Sequence, residues 1–283
     1  MNVFVFDIET VPDVATGRRL YDLQTLTDER VASVMQQRRR IQTGSEFLPH
    51  YLHRIVAIAI AMRSGDKFRV WSLGDEEADE TELLRRFYEG LERYTPTLVS
   101  WNGSGFDLPV MHYRALLHGV QAPRYWESGE DDRSFRYDNY LSRYHRRHTD
   151  LMDVLSAYNG RAVAPLEAVA VMLGLPGKLG MSGAKVWDYF QSGDIQSIRN
   201  YCETDVLNTY LVYLRFELMR AQLTRSAYER ELRLVRERLA EGQGEHFKAF
   251  LDAWPADSSL LSGDARAPAR PGQAASAAQD PEQ

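Results

Sequence analysis

Asp7 and Glu9 stand two residues apart at the end of the apolar run Val3-Phe4-Val5-Phe6. Side chains alternate along a strand, so both carboxylates share one face, roughly 6–7 Å apart. Like charges held side by side repel unless a cation or a proton lies between them. A strand that emerges into solvent at Asp7 is the plainer alternative. Asp107 follows the small-residue loop Asn102-Gly103-Ser104-Gly105 and opens a helix. Such a loop at a strand end lets a ligand approach the backbone, but Asp is also a common helix N-cap. Asp205 lies in a helix beside Val206 and Leu207, with Tyr201 one turn earlier on the same face. A carboxylate buried there needs a partner, either a metal ion or a nearby cation such as Arg199. Together, four acidic residues on three elements suit hard divalent cations, Mg²⁺ or Mn²⁺, which prefer oxygen ligands. Two such ions roughly 3.5–4 Å apart can activate a water and stabilise the leaving oxygen of a phosphodiester. No His-rich cluster competes for zinc.

The elements that must position these groups are legible in outline. Strands are expected at residues 2–8, 54–62, 67–73 and 97–101, with a turn at Ser64-Gly65-Asp66. The first is apolar on both faces, as a strand covered on both sides would be. Helical spacing marks residues 80–94, 108–118, 166–173 and 228–241, and a long helix runs from an Asp194 cap to about Arg220. Residues 125–147 read as irregular. Residues 255–283 are Ala, Pro, Gly, Ser and Gln with few apolar groups, which predicts a disordered tail. Strands first and helices last predict an α/β fold: a mixed sheet with helices on both faces.

Bulk properties narrow the class. With 283 residues, 44% of them hydrophobic, the chain can bury a sizeable core. Its net charge of −6 argues against a general nucleic-acid coat protein but not against an enzyme that meets phosphate through cations. Cys202 is the single cysteine, so no intrachain disulfide can form. The N-terminus lacks a basic region, and the longest apolar run, near residues 55–62, is too short to span a bilayer. A soluble, cytoplasmic protein is expected.

Three motifs then match a known pattern. Phe6-Asp7-Ile8-Glu9-Thr10, Asn102 with Phe106-Asp107, and Tyr201-x-x-x-Asp205 resemble the three motifs of the DEDD exonuclease superfamily in its tyrosine-bearing form, DEDDy, which has a ribonuclease H-like fold. The stretches Lys178-Leu179-Gly180-Met181-Ser182-Gly183 and residues 201–210 resemble the predicted 3′→5′ exonucleases related to the proofreading domain of family B DNA polymerases. The resemblance spans about residues 2–215. It implies a domain over 1–220, with a helical extension at 221–254 and the tail after it. It also implies that Asp7, Glu9 and Asp205 hold one ion, that Asp7 and Asp107 hold a second, and that Tyr201 orients the attacking water. Thr10, Asn102, Phe106 and Lys178 are the implied substrate contacts. The implied reaction is release of nucleoside monophosphates from a free 3′ end, with single-stranded DNA favoured and RNA the alternative. A catalytically silent nucleic-acid-binding protein on the same fold is the rival. An endonuclease or transposase-like enzyme would share the carboxylates but has no evident need for Tyr201.

Weaker signals remain. Arg38-Arg39-Arg40 and the run Arg143-Tyr144-His145-Arg146-Arg147-His148 could grip phosphate, with Tyr137, Tyr140 and Tyr144 stacking on bases. Solvated charge is the commoner meaning of such runs. Asp150 could approach the carboxylates, although capping the helix after it is the simpler role. His112, His118 and His246 show no ligand spacing. The apolar stretch at 163–173 reads as core. Residues 18–53 form an insertion with no assigned role.

Overall fold

Apolar residues on both faces of the first strand require cover on both sides, and the computed structural model, which describes residues 2–242 and 244–255, supplies it. Strand β1 (Asn2–Pro12) outruns the expected end at residue 8. It stays paired past a register shift between Glu9 and Thr10, so Asp7 and Glu9 are mid-strand and do not emerge into solvent. Helices α1 (Val14–Tyr21) and α2 (Asp28–Thr43) fill the insertion. Val31, Met35, Leu48 and Leu52 give it a small core of its own.

Next come β2 (His53–Ser64), β3 (Lys67–Ser72), α3 (Glu80–Tyr94) and β4 (Thr97–Ser100). Helices α4 (Asp107–His118) and α5 (Pro123–Trp126) precede the short strand β5 (His148–Asp150). The rest is helical: α6 (Leu151–Leu155), α7 (Leu166–Met172), α8 (Val186–Gln191), α9 (Ile195–Met219), α10 (Arg225–Glu241) and α11 (Glu245–Ala253). The sheet order is β3-β2-β1-β4-β5. The β1–β2 and β2–β3 pairs are antiparallel, whereas β1–β4 and β4–β5 are parallel. This is the expected mixed sheet of a ribonuclease H-like α/β fold.

Alternation along β1 sorts its side chains between two cores. Phe4, Phe6 and Ile8 pack with Leu83, Phe87 and Leu91 of α3 and with Leu108 and Met111 of α4. Val3 and Val5 pack on the other face with Val206, Leu207 and Tyr210 of α9. Ala57, Ala59 and Ala61 of β2 also lie on that face, and their small side chains let α9 come close. Every residue of α9 from Tyr201 to Leu214 is buried. Enclosure on all sides is what such a helix requires, and α10 and α11 provide the outer cover through Tyr228, Leu232, Val235, Leu239, Phe250 and Trp254. Helix α11 goes beyond the single last helix expected from sequence. The expected tail, apart from Pro255, lies outside the described residues.

Two other expectations change. Tyr140 is 2% exposed and its hydroxyl donates to Pro96 O at 2.6 Å, so it anchors the 125–147 segment and is not free to stack on a base. In the 163–173 stretch Ala170 is buried, but Val171 and Met172 are exposed because α7 lies on the surface. Among the described residues no helix is long and apolar enough to cross a membrane.

A buried ionic cluster ties this frame together. Arg114 of α4 reaches Glu80 Oε1 and Oε2 at 2.8 and 2.5 Å and also pairs with Asp13, the N-cap of α1. Glu80 also accepts from the Ile55 N–H of β2 at 2.6 Å. Removing the guanidinium would leave two enclosed carboxylates without their cation. Arg114→Ala should therefore lower the unfolding free energy in urea by about 3–5 kcal/mol. A loss too small to resolve would show that the cluster does not brace the fold.

Candidate active site

The alternation that puts Val3 and Val5 against α9 puts Asp7 and Glu9 there too. One oxygen of each carboxylate and the Cys202 Sγ lie within 4.8 Å of one another. Cys202 lies 3.4 Å from Asp7 O and 3.5 Å from Asp7 Oδ2, which measures how closely the helix approaches. Asp107 is the first residue of α4 and Phe106 is the N-cap, so the capping alternative for Asp107 does not hold. Its Oδ1 instead accepts from the Ile8 N–H at 3.2 Å, between the two β1 carboxylates. Tyr201 and Asp205 complete the group from α9, 5% and 8% exposed. Asp205 Oδ1 is enclosed yet has no hydrogen-bond partner. Arg199, the alternative partner, is occupied elsewhere, donating to the carbonyls of Ser72, Leu73, Gly74 and Asp75.

Electrostatics follow from this crowding. Burial, then the charges of Asp107, Glu9 and Asp205, push the Asp7 carboxyl well above its usual range. Burial and the charges of Asp205 and Asp107 do the same to Glu9, against a lowering pull from Lys178. Asp107 is pushed up to about 7 by burial, with Asp150 adding repulsion. Asp205 is pushed up to about 6 by burial, against the pull of Lys178 and of the neighbouring Tyr201 hydroxyl. Tyr201 itself is pushed far up by burial and the neighbouring carboxylates, so it keeps its proton at neutral pH. An all-oxygen set of four carboxylates with one orphaned buried oxygen fits hard divalent cations.

The flanking residues fall into place around this centre. The Lys178 ammonium lies 5.6 Å from the Tyr201 ring centre. Its loop is clamped by Asn208, which accepts from Gly177 N–H and donates to Gly177 O, at 3.2 and 2.9 Å. Thr10 Oγ1 lies 2.9 Å from His53 Nδ1, and the opposite His53 nitrogen lies 3.1 Å from Leu48 O. Burial holds the His53 pKa down to about 4, so the ring is neutral: Nε2–H donates to Leu48 and Nδ1 accepts from Thr10. Phe106 packs against Phe47, His50 and His53, with ring centres 5.4, 5.8 and 5.0 Å away. Asn102 sits at φ 64°, and a Cβ on Gly105 would lie 2.4 Å from its side-chain oxygen, so a larger residue there would have to displace the Asn102 amide.

Asp150 shapes that loop. It accepts from Asn102 N–H and Ser104 N–H, both at 2.9 Å, and also caps α6. Its sequence signal was that of a cap; the loop contacts are invisible until β5 pairs with β4. Asn208 and Glu167, unlike Asp150, were not singled out in the sequence. A polar Asn inside an apolar helix was the available sign for the first. Glu167, whose charge raises Asp205, gave none. The basic runs are largely committed to local structure. Arg39 donates to Phe47 O, Arg40 pairs with Glu46, and Arg38 lies over Tyr21. Arg143 pairs with Asp153, and Arg147 lies over Phe135. Tyr137 and Tyr144 remain exposed. His118 pairs with Glu80, and His246 with Glu203.

Comparison with known proteins fixes the class. The family described as "Predicted 3'-5' exonuclease related to the exonuclease domain of PolB" matches residues 45–254. The chain belongs to this exonuclease family. A DNA polymerase from Archaeoglobus fulgidus is 25% identical over 158 residues, 55% of this chain and 19% of that protein. The catalytic polypeptide of DNA polymerase epsilon from Schizosaccharomyces pombe is 25% identical over 148 residues, 50% of this chain and 6% of that one. The chain thus spans less than a fifth of these curated relatives. Among solved structures, a family B DNA polymerase from Pyrobaculum calidifontis aligns at 19% identity with a TM-score of 0.46, covering 77% of this chain and 24% of the other. A product-bound exonuclease I aligns at 13% identity with a TM-score of 0.35, covering 77% and 48%.

The crowded carboxylates should make stability depend on pH and on divalent cations. Unfolded, Asp107 and Asp205 titrate near 3.8; folded, near 7 and 6. The folded state therefore holds protons that the unfolded state has lost, and stability falls as pH rises from about 4 to about 7. The melting temperature of EDTA-treated protein should fall across that range, and less so in Asp205→Asn. Mn²⁺ should raise it more at about pH 8 than at about pH 5. Equal pH slopes for the two proteins would contradict the electrostatic reading.

Proposed function

We propose that the chain is a divalent-cation-dependent 3′→5′ exonuclease acting at a free 3′ end, favouring single-stranded DNA and releasing nucleoside monophosphates. The observation that carries this reading is the enclosed, unpartnered Asp205 Oδ1, whose charge, together with burial, suppresses the acidity of Asp7 and Glu9. A proton or a cation must sit there, and family membership favours the cation.

In this reading Asp7, Glu9 and Asp205 hold one ion, and Asp7 with Asp107 holds the other. Cations held there supply the positive charge that acidifies the attacking water and stabilises the departing 3′ oxygen. Tyr201, kept protonated, orients that water through its hydroxyl and is not the base. Lys178, exposed beside Tyr201, faces the incoming phosphate. Thr10, fixed by His53, and Asn102, fixed by Asp150, border the terminal nucleotide, and Phe106 packs beside it.

The test uses 5′-labelled single-stranded DNA and RNA with Mg²⁺, Mn²⁺ or EDTA. A descending ladder with either cation and none with EDTA is expected, and the better substrate fixes the sugar preference. Asp7→Ala and Asp205→Asn should abolish it, whereas Tyr201→Phe should slow it about 10²-fold with cation binding retained. Binding without cleavage under every cation would replace this reading with a silent nucleic-acid-binding protein. Full activity of Asp205→Asn would remove the site assignment.

A further inference from the structure

The loop that leads to Asp107 also borders a groove. Asn102, Ser104 and Gly105 line a cavity of about 400 Å³ together with His112 and Arg143. A second cavity of about 190 Å³ adjoins it, sharing Ser104, Arg143, His148, Asp150 and Asp153. Beyond the shared residues it is lined by Tyr144, Arg146, Tyr158 and Arg220. We propose that this groove is the track for a single strand upstream of its 3′ end, with an unpaired base stacked on Tyr144 and a phosphate held by Arg146. The proposal rests on the exonuclease reading and adds how that site selects a single strand.

Continuity with the centre gives the occupant. Asp150, common to both cavities, accepts from Asn102 N–H and Ser104 N–H, both at 2.9 Å. Asn102 O in turn accepts from Gly105 N–H and Phe106 N–H, each at 3.0 Å, and Asp107 follows. A strand whose terminal nucleotide lies against Asn102 finds the first cavity beside it and the second beyond.

The far end carries a braced aromatic platform. Tyr144 is 69% exposed, and Tyr158 meets it edge-on with ring centres 5.0 Å apart. Arg143 lies over both rings, 5.9 and 5.2 Å from their centres, and is fixed by both oxygens of Asp153. Ala157 and Tyr158 are two successive left-handed residues, φ 53° and 61°, a conformation that bulky side chains rarely adopt. A ring held in place loses little freedom when a base stacks on it. Paired bases offer Tyr144 no free face, so a duplex would gain only the charge contact.

One cation is left for that contact. Arg143 is matched by Asp153, Arg220 by Glu217, and Asp150 by the two loop N–H groups. Arg146 engages only through its backbone N–H, on Asp138, and its exposed guanidinium has no partner among the described residues.

The test follows the fluorescence anisotropy of a 5′-labelled single-stranded thymidine oligonucleotide with full-length protein in EDTA, across a salt series. Both substituted residues are exposed, so melting temperatures should match the wild type. Tyr144→Ala should weaken binding about tenfold, and Tyr144→Phe should restore it. Duplex DNA should bind Tyr144→Ala and wild type alike. Arg146→Ala should flatten the slope of log Kd against log salt by about 0.7. No binding of the strand by wild-type protein, wild-type affinity in Tyr144→Ala, an equal loss on duplex, or an unchanged slope in Arg146→Ala would overturn the proposal. Binding that responds as expected, in a protein that hydrolyses nothing with Mg²⁺ or Mn²⁺, keeps the track and removes the exonuclease reading. Hydrolysis with binding indifferent to both substitutions removes the track alone.

Discussion

Mutual repulsion among Asp7, Glu9, Asp107 and Asp205 is the constraint around which the rest of the molecule is arranged. In a region shielded from water, unit charges a few ångströms apart interact far more strongly than at the surface. Nearby donors relieve little of this. Asp107 takes the Ile8 N–H, Asp205 is supported by Tyr201, and Lys178 approaches from the exposed side. The deficit that remains favours a proton or a cation among the four groups. A fold that enforces such a cluster loses stability where its groups ionise.

Three features enforce it. Long pairing of β1 with β2 keeps Asp7 and Glu9 within the sheet and not at a frayed end. Alanines at 57, 59 and 61 of β2 bring α9 down onto β1, so the Tyr201 turn meets the strand. The Arg114 cluster fixes α3, α4, β2 and the start of α1 to one another. That holds α4, and with it Asp107, at its place beside Ile8. Asp150 and Asn208 then set the two loops that border the centre, one carrying Asn102 and the other Lys178.

Much of this was legible in the sequence, and the limits have physical causes. Asp7, Glu9, Asp107, Tyr201 and Asp205 stood out because carboxylates among apolar residues are hard to explain singly, and the structure brings them together. The alternating apolar run gave the central strand, and helical spacing gave α3 and α9. The end of β1 was misplaced because Thr10 to Pro12 owe their strand conformation to pairing with residues 53–55, a non-local effect. Strand β5 escaped notice because three residues carry no periodicity, and its position rests on β4. Asp107 looked like a cap because the competing partner, the Ile8 backbone, is distant in sequence. Tyr140 looked like a stacking residue because burial of an aromatic in an irregular segment leaves no local pattern.

The central claim is that the four carboxylates form a divalent-cation site. Crystals soaked in Mn²⁺ and measured for anomalous scattering test it most directly. The account predicts anomalous peaks enclosed by Asp7, Glu9, Asp107 and Asp205, with one against Asp205 Oδ1, and their loss in Asp205→Asn. Well-ordered crystals of the wild-type protein with no peak in that cluster, or peaks unaffected by Asp205→Asn, would contradict it.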